Sequence, residues 1–192
     1  MNHTRMPDNT VRGRIRNFIL DHVPLLQQPL LEVGSLLPDT GNGMAWWAYN
    51  RNLVDRDFKW VGLDFQNGQN VDVVADVEKH IPFIDETFNT VLCSEVMEHL
   101  YKPWNALQEM HRVLKKDGWI IITTLFSFPI HGYPDDYWRF TPTCMWKLLN
   151  DAGFKDIKIV CAGDVYYSLD NAGEGGISEQ KAPMHIFAVA RK

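Results

Sequence analysis

The sequence has few cysteines and no motif that pairs them. Its 192 residues include only Cys93, Cys144 and Cys161, which lie far apart and form no CxxC spacing. This pattern fits neither a disulfide framework nor a zinc site, and it predicts a reducing, cytoplasmic setting. No apolar run reaches the roughly 20 residues of a membrane-spanning helix, and the N-terminus lacks the apolar stretch of a signal peptide. We therefore expect no membrane partner.

A concentrated basic face is also missing. The formal net charge is −5, and acidic and basic residues are interspersed along the chain. Because a general nucleic-acid binder needs clustered basic side chains to neutralise phosphates, we expect no nucleic-acid partner. Low-complexity tracts are absent as well, and 45% of the residues are hydrophobic, which is enough for a real core. The composition predicts a single globular domain over residues 1–192.

Short apolar runs alternate with helical patterns along most of the chain. Runs at residues 29–33, 60–63, 71–75, 88–93 and 119–124 predict strands buried on both faces of a parallel sheet. Helical spacing and capping residues predict helices at residues 10–22, 44–52, 104–115 and 142–151, with another starting near residue 94. The first of these belongs to an N-terminal helical segment at residues 1–28. The alternation is typical of an α/β sandwich.

The end of the chain follows a different pattern. Runs at residues 154–161 and 185–190 predict two strands with no helix between them, which indicates an antiparallel final pair. An insertion at residues 164–183 separates these strands, and its glycine-rich part (NAGEGG) predicts a mobile loop.

Polar residues follow three of the predicted parallel strands. Asp64, Asp76 and the pair Ser94 and Glu95 stand directly after apolar runs. Ligands of open α/β sheets bind at the carboxyl ends of the strands, so these residues predict one edge of a ligand site. At its position Asp64 suits a ribose diol, because a carboxylate accepts two charge-assisted hydrogen bonds, and Asp76 suits an amino group such as that of adenine. The alternative is that both carboxylates are helix caps or solvated strand ends.

The turn after the first strand contains Glu32, Gly34 and Ser35, followed by Gly41 and Gly43. Glycine at position 34 permits a sharp turn and close approach of a ligand, although an ordinary βα turn would also use it. The turn lacks the GxGxxG pattern that holds a pyrophosphate. This absence disfavours a nicotinamide-dependent oxidoreductase, which is the alternative class on a similar fold.

Several of these segments occur in an order that resembles a known family. The order LLEVGS, WVGLD, VVADVEK, DETFNTVLCSEVMEHL, EMHRVLKKDGWIIIT and LLNDAGF resembles class I S-adenosylmethionine-dependent methyltransferases, and among them the small methyltransferase type 11 domains. The resemblance covers roughly residues 30–160. It implies a Rossmann-like sandwich with a mostly parallel seven-stranded sheet whose last strand is antiparallel, and S-adenosylmethionine as the cofactor.

The resemblance also implies roles for individual residues. Carried over by motif, Glu32 and Gly34 lie near the methionine moiety, and Ser35 is a further candidate contact. Asp64 binds the ribose, with Phe65 beside the adenine. Asp76 lies near the adenine amino group, Val77 supplies a backbone N–H to the ring, and Cys93 and Ser94 lie beside the donor methyl. A departure from the family concerns the first motif, since Gly34 is followed by SLLPDTGNG rather than by a compact glycine-rich loop.

The segment SEVMEHL contains a separate group of polar residues. If it is helical, Glu95, Glu98 and His99 share one face, which is a possible geometry for a divalent cation. The motif resembles one in quinone-precursor O-methyltransferases that is thought to hold a metal. It is also common in members without one, so a structural role is preferred and no metal is expected.

The acceptor is expected to bind at residues 125–142, after the fifth strand. Tyr133, Tyr137 and Trp138 offer apolar walls, and Arg139 offers a partner for an anionic group. The candidates for a general base are His131, Asp135 and Asp136. The alternative is a loop held by its own Asp–Arg pair and aromatic cluster.

These features predict methyl transfer to a small molecule, favouring an oxygen atom of a sugar or a secondary metabolite. A domain that binds the cofactor without catalysis is the other possibility.

Overall fold

The structure is a computed structural model that describes residues 10–37, 50–54, 57–131, 135–171 and 176–192. Its strands are β1 (Leu30–Val33), β2 (Trp60–Asp64), β3 (Val73–Val74), β4 (Phe88–Ser94), β5 (Leu114–Leu125), β6 (Lys155–Asn171) and β7 (Gly176–Arg191). They form one seven-stranded sheet in the order β3-β2-β1-β4-β5-β7-β6. All neighbouring pairs from β3 to β5 are parallel, whereas β7 is antiparallel to both β5 and β6. The predicted fold class is thereby confirmed.

In the described part of the chain, three α-helices accompany the sheet: α1 (Val11–Asp21), α2 (Pro103–Val113) and α3 (Pro142–Asp151). Hydroxyl caps start two of them, because the Thr10 side chain accepts a hydrogen bond from the Gly13 N–H and Thr141 accepts one from the Cys144 N–H. The helix predicted at residues 44–52 lies mainly outside the described residues, and its end belongs to a 3-10 helix at Asn50–Leu53. No helix among the described residues is long and apolar enough to span a membrane.

Helices cover both faces of the sheet, which explains why its central strands are apolar without alternation. On one face α2 and α3 pack against β4 and β5 through residues such as Leu107, Met110 and Leu149. On the other face α1 contributes Phe18 and Ile19 to a second buried cluster. Side chains pointing either way from β1, from the middle of β4 and from residues 120–125 of β5 are therefore buried.

The connection from β2 to β3 is a shortened crossover. The predicted third strand at residues 71–75 is reduced to Val73–Val74, which pairs in parallel with Leu63 and Asp64. Eight residues separate the two strands, so a helix does not fit between them. Instead, Asp72 accepts a hydrogen bond from the Gly62 N–H and pairs with Arg51, which ties the connection to β2.

Strands β6 and β7 extend into the insertion predicted at residues 164–183, whereas most of its NAGEGG part, which is predicted to be a mobile loop, lies outside the described residues. The strands continue through this segment, with Asp164 paired to Pro183 and Asn171 paired to Gly176. The residues between Asp164 and Asn171 include β-branched and aromatic types, which favour an extended hairpin over a loop. Residues 172–175, which contain two of the glycines, lie outside the described part of the chain.

The connection between β3 and β4 contains no helix and is held by two residues of α2. Glu109 accepts hydrogen bonds from the Ile81 N–H and from the Arg112 guanidinium, with donor–acceptor distances of 2.7 to 2.8 Å. Arg112 in turn donates to the carbonyls of Ile81 and Phe83. These charge-assisted bonds replace the packing that a crossover helix would supply.

The hydrogen bonds that Glu109 and Arg112 make predict a pH-dependent stability for the variant Glu109→Gln. The hydrogen bonds from Arg112 lower the pKa of Glu109 from 4.5 to about 2. A depressed carboxyl pKa contributes stability above the pKa of the unfolded chain, and that contribution is lost as the pH falls towards the folded pKa. We expect the variant to lose about 1–2 kcal/mol of unfolding free energy at pH 7, a loss that shrinks below pH 4.5 and vanishes near pH 2.

Urea unfolding at several pH values measures this difference. Glu86→Gln is the matched control, because Glu86 is exposed and has one long ion pair, 3.7 Å from Lys192. A loss that stays constant from pH 7 to pH 2 would contradict an ionised Glu109 as its cause.

Candidate active site

The carboxyl ends of β1 to β4 open into a cavity of about 480 Å³. This volume is within the range of pockets that bind small ligands. The wall is formed by Val33, Gly34, Leu63, Asp64, Phe65, Gln66, Ala75, Asp76, Val77, Glu78, Glu95, Val96, His99, Leu100 and Asp135. Among the residues predicted to bind the cofactor, five are on this wall: Gly34, Asp64, Phe65, Asp76 and Val77. The other four, Glu32, Ser35, Cys93 and Ser94, do not line it.

Gly34 forms the turn that carries the chain from β1 past the cavity. Its φ angle is +74°, and a Cβ added there would overlap the Cγ2 methyl of Val96. Its N–H donates to the Leu63 carbonyl at 2.9 Å, which fixes the turn against β2. Only glycine fits both the left-handed backbone and the close approach of Val96.

Asp64 ends β2 and presents its carboxylate to the cavity. The side chain accepts hydrogen bonds from the Leu36 N–H at 3.1 Å and from the Gln66 N–H at 3.0 Å. These two donors fix the carboxylate while each oxygen keeps capacity for another bond. Phe65 follows with 67% of its surface exposed, so its ring is available to a flat ligand.

Asp76 and Val77 form the wall beyond β3. One Asp76 oxygen accepts from the Glu78 N–H at 3.0 Å, and the other lies 2.9 Å from the Lys79 ammonium. Val77 is buried, with its side chain in the core cluster beneath α2. The structure thus brings the ends of β2 and β3 to one side of the cavity, as the sequence predicted.

Glu32 lies behind the wall rather than on it. The side chain is buried and accepts hydrogen bonds from Asn50, Trp60 and Asn70 at 2.7 to 3.2 Å. Burial raises the pKa of the Glu32 carboxyl, against the effect of these donors. The geometry favours an indirect role, in which Glu32 fixes β1 and the connections around the cavity.

Ser35, Cys93 and Ser94 are also displaced from the wall. Ser35 is buried. Cys93 is completely buried, and this burial raises the pKa of its thiol far above the usual range. The Ser94 hydroxyl pairs with that of Thr123 at 2.8 Å, so it joins β4 to β5.

The chain after β4 is not the α-helix expected to start near residue 94. Glu95 adopts a left-handed conformation with φ of +55°, and a 3-10 helix follows at Met97–His99. Glu95 Oε2 lies 3.5 Å from Nε2 of the buried His185. Glu95, Glu98 and His99 therefore do not share a helical face, and the predicted geometry of that group is wrong.

Glu98 is fully buried next to the cavity wall. Its Oε2 accepts a hydrogen bond from the Thr124 hydroxyl at 2.7 Å. Burial, and then the neighbouring Glu95 carboxylate, raises the pKa of Glu98 to about 8. The structure places one ligand atom each of Glu98, His99 and His131 within 4.8 Å of one another.

Within residues 125–142, Asp136 and Arg139 form an ion pair that organises the segment. The Arg139 guanidinium donates to both Asp136 oxygens at 2.6 and 2.8 Å, and to the carbonyls of Phe128 and Pro129. This pairing, above all other causes, holds the pKa of Asp136 far below its usual range. An Asp–Arg pair of this kind was the structural alternative for the segment, and it favours a supporting role for both residues.

His131 and Asp135 lie closer to the cavity. His131 Nδ1 is 3.3 Å from the ionised Asp136 carboxylate, which accepts its proton, so Nε2 is the nitrogen left free. Its ring lies 5.0 Å from the ring of His99, which lines the cavity. Asp135 is itself on the wall and accepts a hydrogen bond from the Tyr137 hydroxyl at 2.9 Å.

Aromatic side chains surround this part of the site. Tyr137 is exposed and contacts Tyr101 edge to face at 5.4 Å between ring centroids. Trp138 is fixed by a hydrogen bond from its indole N–H to the Leu100 carbonyl at 2.7 Å. Tyr133, predicted to join this wall, lies outside the described residues.

Several wall residues were not predicted. Gln66, Val96 and Leu100 line the cavity within a few residues of Asp64 or Ser94. The available signal was position alone, since residues that follow a parallel strand are expected at this edge of the sheet. Nothing in their side-chain types pointed to a ligand.

Comparison with known proteins agrees with this geometry. Residues 31–122 match the family model described as a methyltransferase domain. A tRNA U34 carboxymethyltransferase of Nautilia profundicola is 27% identical over 169 residues, which cover 75% of this chain and 53% of that protein. The chain spans about half or less of the length of the curated relatives it matches.

Two solved structures show the same fold. An S-adenosylmethionine-dependent methyltransferase of Archaeoglobus fulgidus has a TM-score of 0.64 at 14% identity, covering 96% of both chains. A Burkholderia thailandensis 1,6-didemethyltoxoflavin-N1-methyltransferase, solved with 1,6-didemethyltoxoflavin and S-adenosylhomocysteine, has a TM-score of 0.59 at 16% identity, covering 96% of this chain and 79% of that one. Together with the match of residues 31–122 to a methyltransferase domain, these structures show that the chain has the fold of the S-adenosylmethionine-dependent methyltransferases.

Proposed function

We propose that the protein transfers the methyl group of S-adenosylmethionine to an oxygen atom of a small-molecule acceptor. The observation that carries this proposal is the position of His131, whose free Nε2 belongs to a ring 5.0 Å from a wall residue of the cofactor cavity. Imidazole is the usual general base near neutral pH, and an oxygen acceptor benefits from one more than an amine does.

The cofactor is proposed to lie along the cavity wall. Asp64 accepts hydrogen bonds from the ribose hydroxyls, and Phe65 lies beside the adenine. Asp76 faces the adenine amino group, and Val77 donates its backbone N–H to the ring. The methionine end lies towards Gly34 and the turn at Glu95. Glu32, Ser35, Cys93 and Ser94 support these contacts from behind the wall. This arrangement is supported by the carboxylates of Asp64 and Asp76 on the cavity wall and by the exposed Phe65 ring.

The reaction is an in-line displacement at the methyl carbon. A lone pair of the acceptor oxygen forms the new C–O bond, the C–S bond breaks, and its electron pair stays on sulfur as S-adenosylhomocysteine. The acceptor proton passes to His131 Nε2, while Asp136 stabilises the resulting imidazolium. Positioning and exclusion of water supply most of the acceleration, because the sulfonium is already an activated donor. Asp135 is the alternative base.

The acceptor is proposed to bind against the aromatic side chains around Asp135. Tyr137 and Trp138 present partly exposed rings there, and Tyr133 is a further candidate. Arg139 is engaged by Asp136 and by three carbonyls, so we assign it to the frame of the segment. The net charge of −5 supports a small molecule over a nucleic acid.

We expect His131→Ala to lower turnover by about 100- to 1,000-fold without changing the affinity for S-adenosylmethionine. Because the base acts on the acceptor and not on the cofactor, turnover should fall while the affinity for S-adenosylmethionine stays unchanged. Steady-state methyl transfer and calorimetric cofactor binding measure them. His111→Ala is the control, since that ring packs against Phe154 ahead of β6, at the opposite edge of the sheet. Unchanged turnover in His131→Ala would move the role to Asp135.

The acceptor class is tested by a transfer screen with labelled cofactor over sugars, phenols, small acids and bulk tRNA. Transfer to tRNA alone would replace the small-molecule proposal, and the relative named for a tRNA substrate is the reason to include it. Tight cofactor binding without transfer to any acceptor would favour a catalytically inactive domain.

A further inference from the structure

We propose that Glu98, His99 and His131 form a binding site for one divalent transition-metal ion beside the cofactor cavity. One ligand atom of each residue lies within 4.8 Å of the others, although His131 is 32 residues away from His99 in sequence. This set differs from the one suggested by sequence spacing, in which Glu95 took the place of His131. The proposal concerns binding and does not depend on the acceptor.

The Glu98 carboxylate gives the first independent support. Its side chain is 0% exposed, and Oε2 is already bonded to Thr124. Among the described residues, Oε1 has no hydrogen-bond partner and lies 3.9 Å from His99 Nε2. A buried oxygen without a donor is costly, and a cation held between Glu98 and the two imidazoles would satisfy it.

The orientation of both imidazoles gives the second support. His99 Nδ1 donates to the Asp135 carbonyl at 2.7 Å, which leaves Nε2 as the free nitrogen. His131 Nδ1 faces the Asp136 carboxylate, so its Nε2 is free as well. Metal-binding histidines usually donate their second ring N–H to a carbonyl or carboxylate, which fixes the tautomer and the ring. Each of the two histidines has such a partner here: the Asp135 carbonyl for His99 and the Asp136 carboxylate for His131.

Two imidazoles and one carboxylate favour Zn²⁺, Fe²⁺, Mn²⁺ or Co²⁺ over Mg²⁺ and Ca²⁺, which prefer all-oxygen sites. In a tetrahedral site with bonds of about 2.1 Å, ligand atoms are separated by about 3.4 Å. The three residues therefore need to approach by about 1 Å. His99 is the last residue of a short 3-10 helix and His131 lies on an irregular segment. Both side chains are partly exposed, which permits this movement.

Glu95 is not a member of the set. Its left-handed backbone directs Oε2 to within 3.5 Å of His185, on the side of β7. Glu95→Gln is therefore a control that separates the two possible ligand sets.

The binding site and the general base use the same nitrogen. If the ion occupies His131 Nε2, that nitrogen is not available to accept the acceptor proton. Metal binding is measured without cofactor or acceptor, so its outcome is independent of whether methyl transfer is observed. A flat binding curve with intact methyl transfer would overturn only the metal site, and tight metal binding with no methyl transfer by the chelator-treated, metal-free protein would overturn only the proposed reaction.

The experiment is a calorimetric titration of the chelator-treated full chain with Zn²⁺ and, separately, with Mg²⁺. The exposed thiols are removed first as Cys144→Ser and Cys161→Ser, because thiolates bind zinc by themselves. We expect one Zn²⁺ per chain and no measurable Mg²⁺ binding. His131→Ala and Glu98→Gln should each weaken Zn²⁺ binding by more than about 100-fold, since loss of outer partners alone costs about 10- to 100-fold.

His131 lies on a partly exposed loop, so its variant tests the site even if Glu98→Gln fails to fold. Glu95→Gln should bind Zn²⁺ as tightly as the parent. Equal affinity in the parent and His131→Ala would overturn the site. Loss of binding in Glu95→Gln with retention in His131→Ala would assign the ion to the other ligand set and would likewise contradict the proposal.

Discussion

The variant Asp64→Asn is expected to bind S-adenosylmethionine at least 100-fold more weakly than the parent. A carboxylate that accepts from both ribose hydroxyls forms two charge-assisted bonds, each worth about 1.5–3 kcal/mol, and about 2.7 kcal/mol corresponds to 100-fold in affinity. Asp64 is only 7% exposed and lies on the cavity wall, so water replaces a lost bond poorly. Calorimetric titration with the cofactor measures the effect.

The control for this variant is Asp72→Asn. Asp72 also accepts a hydrogen bond from the backbone of the same region, at 2.7 Å from the Gly62 nitrogen, but it does not line the cavity. It therefore reproduces the local loss of a charged acceptor without touching the ribose. We expect its cofactor affinity to stay within about threefold of the parent. If Asp64→Asn keeps the parent affinity, Asp64 has no ribose role.

Much of the sheet could be predicted because its strands are short runs buried on both faces. Most side chains of residues 30–33 and 88–94 are buried, since α1 covers one face and α2 and α3 cover the other. The extension of β6 and β7 could not be predicted in the same way. Asp164 and Pro183 pair across the hairpin, and such pairing depends on a partner strand that local periodicity does not reveal.

The same distinction separates the site residues whose positions could be predicted from those whose positions could not. Asp64 and Asp76 were predictable because the ends of neighbouring parallel strands meet at one edge. Glu32 lies behind the wall because β1 directs its side chain towards Asn50 and Trp60, a position that depends on contacts distant in sequence. The proximity of Glu98 and His131 could not be predicted, because it depends on how the segment after β5 folds back over the turn after β4.

The variant Gly34→Ala is expected to lower the free energy of unfolding by about 2–5 kcal/mol and to weaken cofactor binding. A left-handed residue other than glycine costs about 1–2 kcal/mol, and forcing an extra methyl into a packed site costs about 1–3 kcal/mol. Both costs apply to Gly34→Ala, because φ is +74° and the new methyl would overlap Val96 Cγ2. Urea unfolding and calorimetric titration with the cofactor measure the two effects.

The double variant Gly34→Ala with Val96→Ala separates the two causes. Removing the Val96 methyls relieves the overlap and leaves the left-handed backbone, so the double variant should retain a penalty of about 1–2 kcal/mol relative to Val96→Ala alone. Because both residues line the cavity, cofactor affinity should recover together with stability. A Gly34→Ala protein as stable as the parent would show that the turn adopts another conformation, in which Gly34 and Val96 do not meet.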